Sequence, residues 1–410
     1  MIPVSYSSIA IIGASFCVLC VMVAYIYLKL SYGFWFYQPV FHLYDFYYYL
    51  FPCGIVEKQL PDKNKFTNLT DIDMRVFSDV QANHLFSQFV SFIGSHYMRN
   101  QSNNFVPSVD DTSPYFTNHK HSCFISYYYK NQLLQNTANT AVVSRKQIIG
   151  TMTTRPVQIE IRRSSTDVSK MYAYYVDYLC VHRDHRSKGV APQLIQTHYY
   201  HQRRRNPAIH ANLFKREGEL TGIVPLCVYS SLVFDILSVV SHHEIPPIYK
   251  RIRCTSQNSQ YLIDFAKHVK GQFDITICPD LSNLLDLVNS ETYYIDYIVD
   301  TTQNNDIIAC YVFKKTCVTI DKKKNVIACI ASIRTPECPL SIFIDGFKAS
   351  LTTFLNAYTS LIIEELSHNA EISNNLKSIA APQCISPTAY FFHNFVYPTF
   401  SPSKVFILGT

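Results

Sequence analysis

The chain has 410 residues, of which 48% are apolar and 16% charged, and its formal net charge is +6. This balance excludes an intrinsically disordered protein, and the length predicts two or three domains with a sizeable core. The net charge is too small, and the basic residues too scattered, to indicate a nucleic-acid-binding protein. The 30 tyrosines and 27 phenylalanines predict aromatic cores or an apolar ligand pocket.

The apolar residues are concentrated at the start of the chain. No charged residue precedes Lys29, and the run from Ile9 to Leu28 has about the length that spans a bilayer as a helix. We predict an uncleaved, single-pass N-terminal anchor, because the run has neither a basic segment before it nor a clear cleavage site after it. A signal peptide or a buried core helix is the alternative. Lys29, on the C-terminal side, favours a cytosolic body.

The cysteines and histidines do not form a metal-binding pattern. The 13 cysteines are an odd number and are dispersed, as suits a reducing compartment. Cys17 and Cys20 have CxxC spacing but fall inside the apolar run, where a zinc site is not expected. His119, His121 and Cys123 lie close together, and we interpret them as part of a loop. The sequence therefore predicts no metal site.

After the anchor, the residues from Tyr32 to Val56 are aromatic and interrupted by Pro39 and Pro52, which argues against a second spanning helix. Between Thr70 and Tyr97, apolar residues recur at helical spacing and predict one amphipathic helix. The polar segment Asn100–Asn118 predicts an exposed loop.

Strand-like runs rich in β-branched and aromatic residues follow this segment. They cover Thr140–Ser144, Ile148–Thr153, Val157–Ile161 and Met171–Val181. The polar stretch Arg162–Lys170 before the last run predicts a β-hairpin. Lys322–Lys324 lies between two further strand-like runs, Asp306–Ile320 and Val326–Ile333, and predicts another hairpin turn.

The segment after Val181 predicts a turn from a strand into a helix. The helix is expected to begin at about Val190, with Pro192 in its first turn, where a missing N–H costs nothing. Free backbone N–H groups at the helix start, beside Arg186 and Lys188, suit a pyrophosphate. Gly189 allows the backbone to approach such a ligand closely. The alternative interpretation is an exposed basic loop.

The residues of this turn also resemble a known family. Arg186-x-x-Gly189-x-Ala191 resembles the pyrophosphate signature of the GNAT acyltransferase superfamily. The longer block Tyr178-Leu179-Cys180-Val181-His182, followed by Arg186-Ser187-Lys188 and Val190-Ala191-Pro192, closely resembles the N-myristoyltransferases. Weaker likenesses, among them Phe34-Trp35 and the apolar end Lys404–Thr410, follow in the family's order over about residues 32–410.

The resemblance implies an α+β fold in which two tandem GNAT-like halves follow the membrane anchor. The implied division is an anchor over residues 1–31, an acyl-CoA-binding half over 32–225 and a peptide-side half over 226–410. The implied partners are myristoyl-CoA or another acyl-CoA, a protein or peptide with an N-terminal glycine, and a membrane contacted through residues 9–28. Neither nucleic acid nor a metal is implied.

The resemblance also implies roles for individual residues. The backbone N–H groups of Tyr178 and Leu179 polarise the thioester carbonyl, and the C-terminal carboxylate of Thr410 is the base. Thr221 and Asp177 match positions that contact the glycine amine. The residues implied to bind acyl-CoA are Phe34, Trp35, Val181, His182, Arg186, Ser187, Lys188, Gly189, Val190, Ala191 and Pro192.

This sequence departs from the family chiefly on the peptide side. Asp177 stands where the family has asparagine, Val228–Leu232 lacks a histidine and an arginine, and Ala380–Gln383 lacks an aspartate. In the turn, Gly189 replaces an arginine. The sequence therefore predicts a diverged acyltransferase, with two alternatives: an inactive membrane or interaction protein, or a GNAT enzyme with another acyl donor.

Overall fold

The computed structural model describes residues 6–97, 103–135, 142–164, 166–218, 222–240, 245–303, 305–320 and 324–409. Two residues singled out from the sequence, Thr221 and Thr410, lie outside these ranges. The chain begins with a long helix, α1 (Tyr6–Tyr32). Its segment Ile12–Ser31 is long and apolar enough to cross a membrane, and none of that segment is buried against the rest of the chain.

The remaining elements of the first half follow a short 3₁₀ turn at Trp35–Tyr37. They are α2 (Phe46–Leu50), β1 (Gly54–Ile55), β2 (Ile72–Val76), α3 (Phe77–Ala82), α4 (Leu85–His96), β3 (Asn103–Phe105), α5 (Val109–Thr112), β4 (Phe124–Gln135), β5 (Val142–Arg162), β6 (Val168–Val181), α6 (Val190–Arg205) and β7 (Ala211–Glu217).

The second half is built from a similar mixture of strands and helices. Its elements are β8 (Cys227–Asp235), α7 (Ile236–Val239), β9 (Tyr249–Arg253), α8 (Ser259–Val269), β10 (Ile275–Cys278), α9 (Leu281–Asn289), β11 (Tyr293–Asp300), β12 (Asp306–Ile320), β13 (Lys324–Arg334), α10 (Leu340–Thr352), β14 (Ser360–Glu364), α11 (Asn369–Ile379), β15 (Cys384–His393), β16 (Phe395–Val396) and β17 (Val405–Ile407).

The two halves repeat one order of elements. In the first, β4, β5 and β6 pair antiparallel, and α6 then connects β6 to the parallel strand β7. In the second, β11, β12 and β13 pair antiparallel, and α10 connects β13 to the parallel strand β14. The chain therefore has the predicted α+β fold with two similar halves.

The halves share one continuous mixed sheet, because strands of the second half pair with strands of the first. From the second half, β15 pairs antiparallel with β7. From the start of that half, β8 pairs with both β15 and β14, which gives the order β7-β15-β8-β14 at the centre of the molecule. The last strand, β17, runs parallel to β10, which also pairs with β5. The end of the chain is thereby brought beside the first half.

Helices cover the sheet and complete its cores. Val80, Phe89 and Ile93 of α3 and α4 are buried in the core that also contains Tyr178. Phe347 of α10 and Leu376 of α11 are buried in a separate core of the second half. Burial of such side chains removes apolar surface from water and holds the helices on the sheet.

The single helix predicted for Thr70–Tyr97 is wrong in its first part. Ile72–Val76 forms strand β2, which pairs antiparallel with β4. The two helices that follow are separated at His84, whose φ of 55° is left-handed and cannot continue a helix. The loop predicted for Asn100–Asn118 also needs correction, because it contains short strand and helical elements and buries Tyr115 and Phe116.

The hairpin and turn predictions are confirmed. The strand-like runs between residues 142 and 161 belong to the long strand β5, which pairs antiparallel with β6 around the polar stretch; residues 140 and 141 lie outside the described ranges. Strands β12 and β13 pair antiparallel on either side of the predicted turn, where Lys322 and Lys323 lie outside the described ranges and Lys324 begins β13. Helix α6 begins at Val190, where the sequence predicts it.

Candidate functional site

A β-bulge interrupts β6 at the residues that were expected to polarise a carbonyl. The register shifts here, so that Tyr178 and Leu179 together oppose the single residue Met152 of β5. Tyr178 has a φ of 47°, a strained conformation for a large aromatic residue. The hydroxyl of Thr153 donates to the backbone carbonyl of Asp177 at 2.9 Å and fixes the start of the bulge.

Aromatic packing holds the Tyr178 side chain and stabilises this backbone conformation. Its ring lies edge-on to Phe89 at a centroid distance of 5.7 Å and contacts Tyr97 at 5.7 Å, both in or beside α4. Phe105 and Phe116 complete the enclosure at 6.3 and 6.5 Å. Burial raises the pKa of the Tyr178 phenol, with the nearby Asp177 carboxylate acting in the same direction. The side chain is therefore a neutral structural support for the bulge.

The side chain of Asp177 accepts a hydrogen bond from one of the backbone N–H groups of the bulge. The Tyr178 N–H donates to Oδ1 of Asp177 at 2.8 Å. The other carboxylate oxygen, Oδ2, accepts from Nη1 of Arg155 at 3.0 Å. A carboxylate that accepts a backbone N–H and a guanidinium is held in place by two charge-assisted hydrogen bonds.

Arg155 connects the bulge to the end of the chain. Its side chain is 1% exposed and packs between the rings of Tyr115 and Tyr175, with guanidinium-to-centroid distances of 4.6 and 4.9 Å. Its Nε and Nη2 donate to the backbone carbonyl of Gly409 at 3.1 and 2.9 Å. One buried side chain thus bridges Asp177 and the residue before Thr410.

The segment that leads to Thr410 is buried, as its apolar sequence predicts. Val405–Leu408 belongs to the core, and the Leu408 N–H donates to the carbonyl of Ile277 at 2.8 Å. Gly409 is buried with a φ of +79°, and a Cβ there would meet Pro279 at 2.8 Å. Only glycine fits this position without a shift of its neighbours.

The basic turn contains one arginine that contacts the protein and one lysine that is exposed. Arg186 is held by the protein itself, because its guanidinium donates to the backbone carbonyls of Val181 and His96. Lys188 is exposed, and Ser187 and Gly189 have left-handed φ values of 59° and 75°. The Cβ position of Gly189 has no neighbour within 4 Å, so the turn is open in front of α6.

Histidines lie beneath this turn. The rings of His96 and His182 are 4.1 Å apart, and His182 donates its backbone N–H to the carbonyl of Ile149 at 2.9 Å. Burial lowers the pKa of His96 to about 4, with His182, Arg183 and Arg186 acting in the same direction. His96 is therefore neutral near pH 7, and the positive charge at the turn comes from arginine and lysine.

The pair Phe34-Trp35 lies immediately after α1. Trp35 stacks on Phe214 of β7 at a centroid distance of 5.6 Å and an interplanar angle of 13°. Phe34 packs edge-on against Trp35 and against Phe66, at 5.2 and 5.1 Å. Trp35 is thereby fixed against the central sheet.

A cavity of about 770 Å³ lies beside the bulge; the residues of the basic turn, Arg155 and the described end of the chain do not line it. Trp35 lines it, as do the bulge residues Asp177, Tyr178 and Leu179, and it extends to β12 and β14 of the second half. Its volume lies in the range of pockets that enclose small ligands. Of the residues singled out from the sequence, those on the bulge and Trp35 therefore share one cavity.

The cavity also contains ionisable residues that the sequence did not single out. Lys215 donates to Oε1 of Glu364 at 2.7 Å, and the Tyr229 hydroxyl donates to Oε2 at 2.7 Å. Burial lowers the pKa of Lys314 to about 8; Asp177 opposes this effect, and Arg155 and Lys215 reinforce it. Glu364, at the end of the apolar strand β14, gave a signal in the sequence, whereas Lys215 and Lys314 each stand next to another basic residue, as exposed residues often do.

No group of three histidine, cysteine, aspartate or glutamate side chains is placed to hold a metal ion within the described ranges. The described residues at and beside the cavity include backbone donors on a bulge, a carboxylate paired with a guanidinium, and partly buried lysines together with buried tyrosines.

The sequence matches a known family model over part of its length. Residues 63–221 match the family model described as the N-terminal domain of myristoyl-CoA:protein N-myristoyltransferase. No curated protein matches the sequence.

Solved structures resemble the chain over nearly its whole length. A crystal structure of Saccharomyces cerevisiae N-myristoyltransferase with bound myristoyl-CoA has a TM-score of 0.67 and 11% identity, covering 92% of this chain and 99% of that chain. A second, with bound myristoyl-CoA, has a TM-score of 0.66 and 12% identity, covering 91% and 90%. A third, with bound myristoyl-CoA and inhibitors, has a TM-score of 0.65 and 12% identity, covering 91% and 93%. At this level of identity, the likeness establishes the fold.

Proposed function

Because residues 63–221 belong to the N-terminal domain family of myristoyl-CoA:protein N-myristoyltransferases, and the chain has the N-myristoyltransferase fold, we propose that it is an acyl-CoA-dependent acyltransferase. It transfers a long-chain acyl group, with myristoyl-CoA as the first candidate donor, to the amine of an N-terminal glycine. The observation that carries the proposal is the left-handed bulge at Tyr178 on the wall of a cavity of about 770 Å³. Strained backbone of this kind is typical of functional sites.

The proposed acyl-CoA site includes the basic turn and the cavity wall. Exposed Lys188 and the open backbone at Gly189 receive the pyrophosphate at the start of α6. Arg186 supports the turn through its two carbonyl contacts. The acyl chain enters the cavity past Trp35. The remaining proposed contacts are Phe34, Val181, His182, Ser187, Val190, Ala191 and Pro192.

In the proposed transfer, the glycine amine attacks the thioester carbon, so that a C–N bond forms and the C–S bond breaks. The N–H groups of Tyr178 and Leu179 stabilise the negative oxygen. Since the Tyr178 N–H is donated to Asp177 in this structure, the carboxylate must turn away to free that donor. The amine proton passes to a base, and CoA leaves as the thiolate, which takes up that proton from the base to give the thiol.

The proposed base is the carboxylate of Thr410, with Thr221 and Asp177 as contacts of the amine. The buried position of Gly409 supports this assignment, because Arg155 donates both to the Gly409 carbonyl and to the carboxylate of Asp177. Asp177 carries a negative charge where the family has a neutral asparagine, and that charge favours a positively charged amine close by.

The proposed division of labour follows the halves of the chain. Residues 1–31 anchor the protein in a membrane with the body on the cytosolic side, residues 32–225 bind acyl-CoA, and residues 226–410 hold the acceptor peptide. The exposed, apolar length of α1 supports the anchor. Lys29, in its last turn, supports the orientation.

The proposal is tested by measuring binding and turnover with the detergent-solubilised full chain. Myristoyl-CoA is expected to bind more tightly than acetyl-CoA, and CoA thiol release is expected to require a peptide with a free N-terminal glycine. The same peptide with an acetylated N-terminus is the matched control. Preference for acetyl-CoA would instead indicate another GNAT donor, and absence of any acyl-CoA binding would leave an inactive member of the fold.

Changing Lys188 to alanine is expected to weaken CoA binding by about fivefold, corresponding to about 1 kcal/mol for one exposed charge contact. The loss should be larger at about 20 mM than at about 500 mM NaCl, because salt screens an exposed charge. Titration calorimetry with CoA at both salt concentrations measures it.

Lys250→Ala provides the control, since Lys250 is exposed on β9, at the other end of the sheet order. Equal affinity of the Lys188 variant and the parent at low salt would remove Lys188 from the proposed pyrophosphate site.

A further inference from the structure

Helix α2 presents an apolar face that the described body leaves uncovered. Phe46, Tyr47, Leu50 and Phe51 are 77, 66, 75 and 61% exposed. At 100° per residue Phe46, Tyr47 and Leu50 lie on one side of the helical turn. Phe51 follows directly after the helix, and its ring contacts Tyr47 at a centroid distance of 5.3 Å. We call these four side chains the aromatic face. Four contiguous bulky apolar side chains form a patch of the kind that marks a contact with another apolar surface.

The opposite side of α2 is fixed to the body. The ring of buried Phe41 contacts Tyr48 and Tyr49 at centroid distances of 5.9 and 4.8 Å. The backbone of the neighbouring residue His42 forms an isolated antiparallel β-bridge with Ile223. The aromatic face is therefore held in one orientation relative to the cavity.

Charge is nearly absent around the aromatic face. Asp45 is the one aspartate, glutamate, lysine or arginine between Gly33 and Val56. Its carboxylate accepts the backbone N–H of His42 at 2.8 Å and is committed to the local turn. A segment with a single charged residue, and with tyrosines beside phenylalanine and leucine, matches the interfacial layer of a bilayer, where amphipathic rings are enriched.

Helix α1 runs directly into this region. The Gly33 N–H donates to the Lys29 carbonyl at 3.3 Å, which continues the helical hydrogen bonding past Tyr32. The Phe36 ring packs edge-on against Tyr25 at 5.4 Å. The end of α1 is thus packed on the 3₁₀ turn that precedes α2, and does not lead into a free linker.

We infer that the aromatic face is a second membrane contact, which lies in the interfacial layer of the same bilayer that α1 spans. This inference rests on the anchor of the proposed function. Trp35 lies in the chain between the two contacts and lines the cavity. One spanning helix alone cannot fix the tilt of the body relative to the membrane, but two contacts can. They also hold the cavity wall formed by Trp35 at the membrane surface.

Bromine quenching of tryptophan in the full chain tests the inference. The chain has one tryptophan, so an added tryptophan is measured as the difference from the parent. Leu50→Trp probes the aromatic face, Phe16→Trp probes α1, and Leu340→Trp probes an apolar residue of the second half that is 51% exposed. Each variant is reconstituted into vesicles of phosphatidylcholine and phosphatidylserine with brominated acyl chains.

The added emission of Leu50→Trp is expected to be blue-shifted and quenched by bromine, as for Phe16→Trp, while that of Leu340→Trp is unchanged. Quenching of Phe16→Trp without quenching of Leu50→Trp overturns the second contact and leaves the anchor. A blue shift of Leu50→Trp without quenching also overturns it, because the face is then covered by protein. Unquenched Phe16→Trp overturns both the anchor and the second contact. Acyl-CoA binding in the same vesicles reports on the transferase proposal independently.

Discussion

Replacing Arg155 with methionine is expected to lower the free energy of unfolding by about 3 kcal/mol. Methionine keeps much of the apolar volume between Tyr115 and Tyr175 but removes every donor. Asp177 is then left without its guanidinium partner, and the buried carbonyl of Gly409 loses two hydrogen bonds. Urea denaturation of the detergent-solubilised chain measures the change as a lower midpoint.

Two further variants make this result specific. Arg155→Met combined with Asp177→Asn is expected to recover part of the loss, because the unpaired charge is gone. Arg216→Met, at an exposed position on β7, is expected to change stability by less than about 0.5 kcal/mol. If Arg155→Met and Arg216→Met had equal effects, the buried bridge would not contribute to stability.

Extending the chain by six residues beyond Thr410 is expected to reduce turnover by about 10²–10⁴-fold, the usual contribution of a general base. The extension converts the Thr410 carboxylate into an amide that cannot accept the amine proton. Acyl-CoA affinity is expected to be unchanged, because the proposed CoA contacts lie on β6, α6 and the segment after α1. Turnover and titration of the same sample separate the two effects.

The same six residues placed before Met1 are the matched control and are expected to leave turnover intact. Full activity of the chain extended after Thr410 would show that another group is the base. Lys314, a buried amine at the cavity whose pKa is lowered to about 8, is then the next candidate to test.

Local features of the candidate site could be predicted from the sequence. The Gly189-Val190 boundary, with Pro192 in the first turn, fixes the start of α6 because it depends on backbone rules within a few residues. The buried end Val405–Leu408 could likewise be predicted, since four consecutive apolar residues have a high cost in water.

Contacts between distant residues could not be predicted. Arg155 and Gly409 are 254 positions apart, and only the pairing of β10 with both β5 and β17 brings them together. Tertiary pairing also explains the wrong helix. The apolar residues of β2 continue the helical spacing of α3 and α4. Periodicity alone therefore could not distinguish β2, a strand that pairs with β4, from the helices that follow it.

The strand order β7-β15-β8-β14 affects how the protein is made. On the ribosome, β7 emerges about 170 residues before β15, its antiparallel partner. Until then, one side of β7 is an unpaired edge, which can pair with other chains. The first half therefore cannot complete its sheet during its own synthesis, and pairing between such distant segments is slow. A nascent chain of this design exposes that edge to aggregation until the last strands arrive.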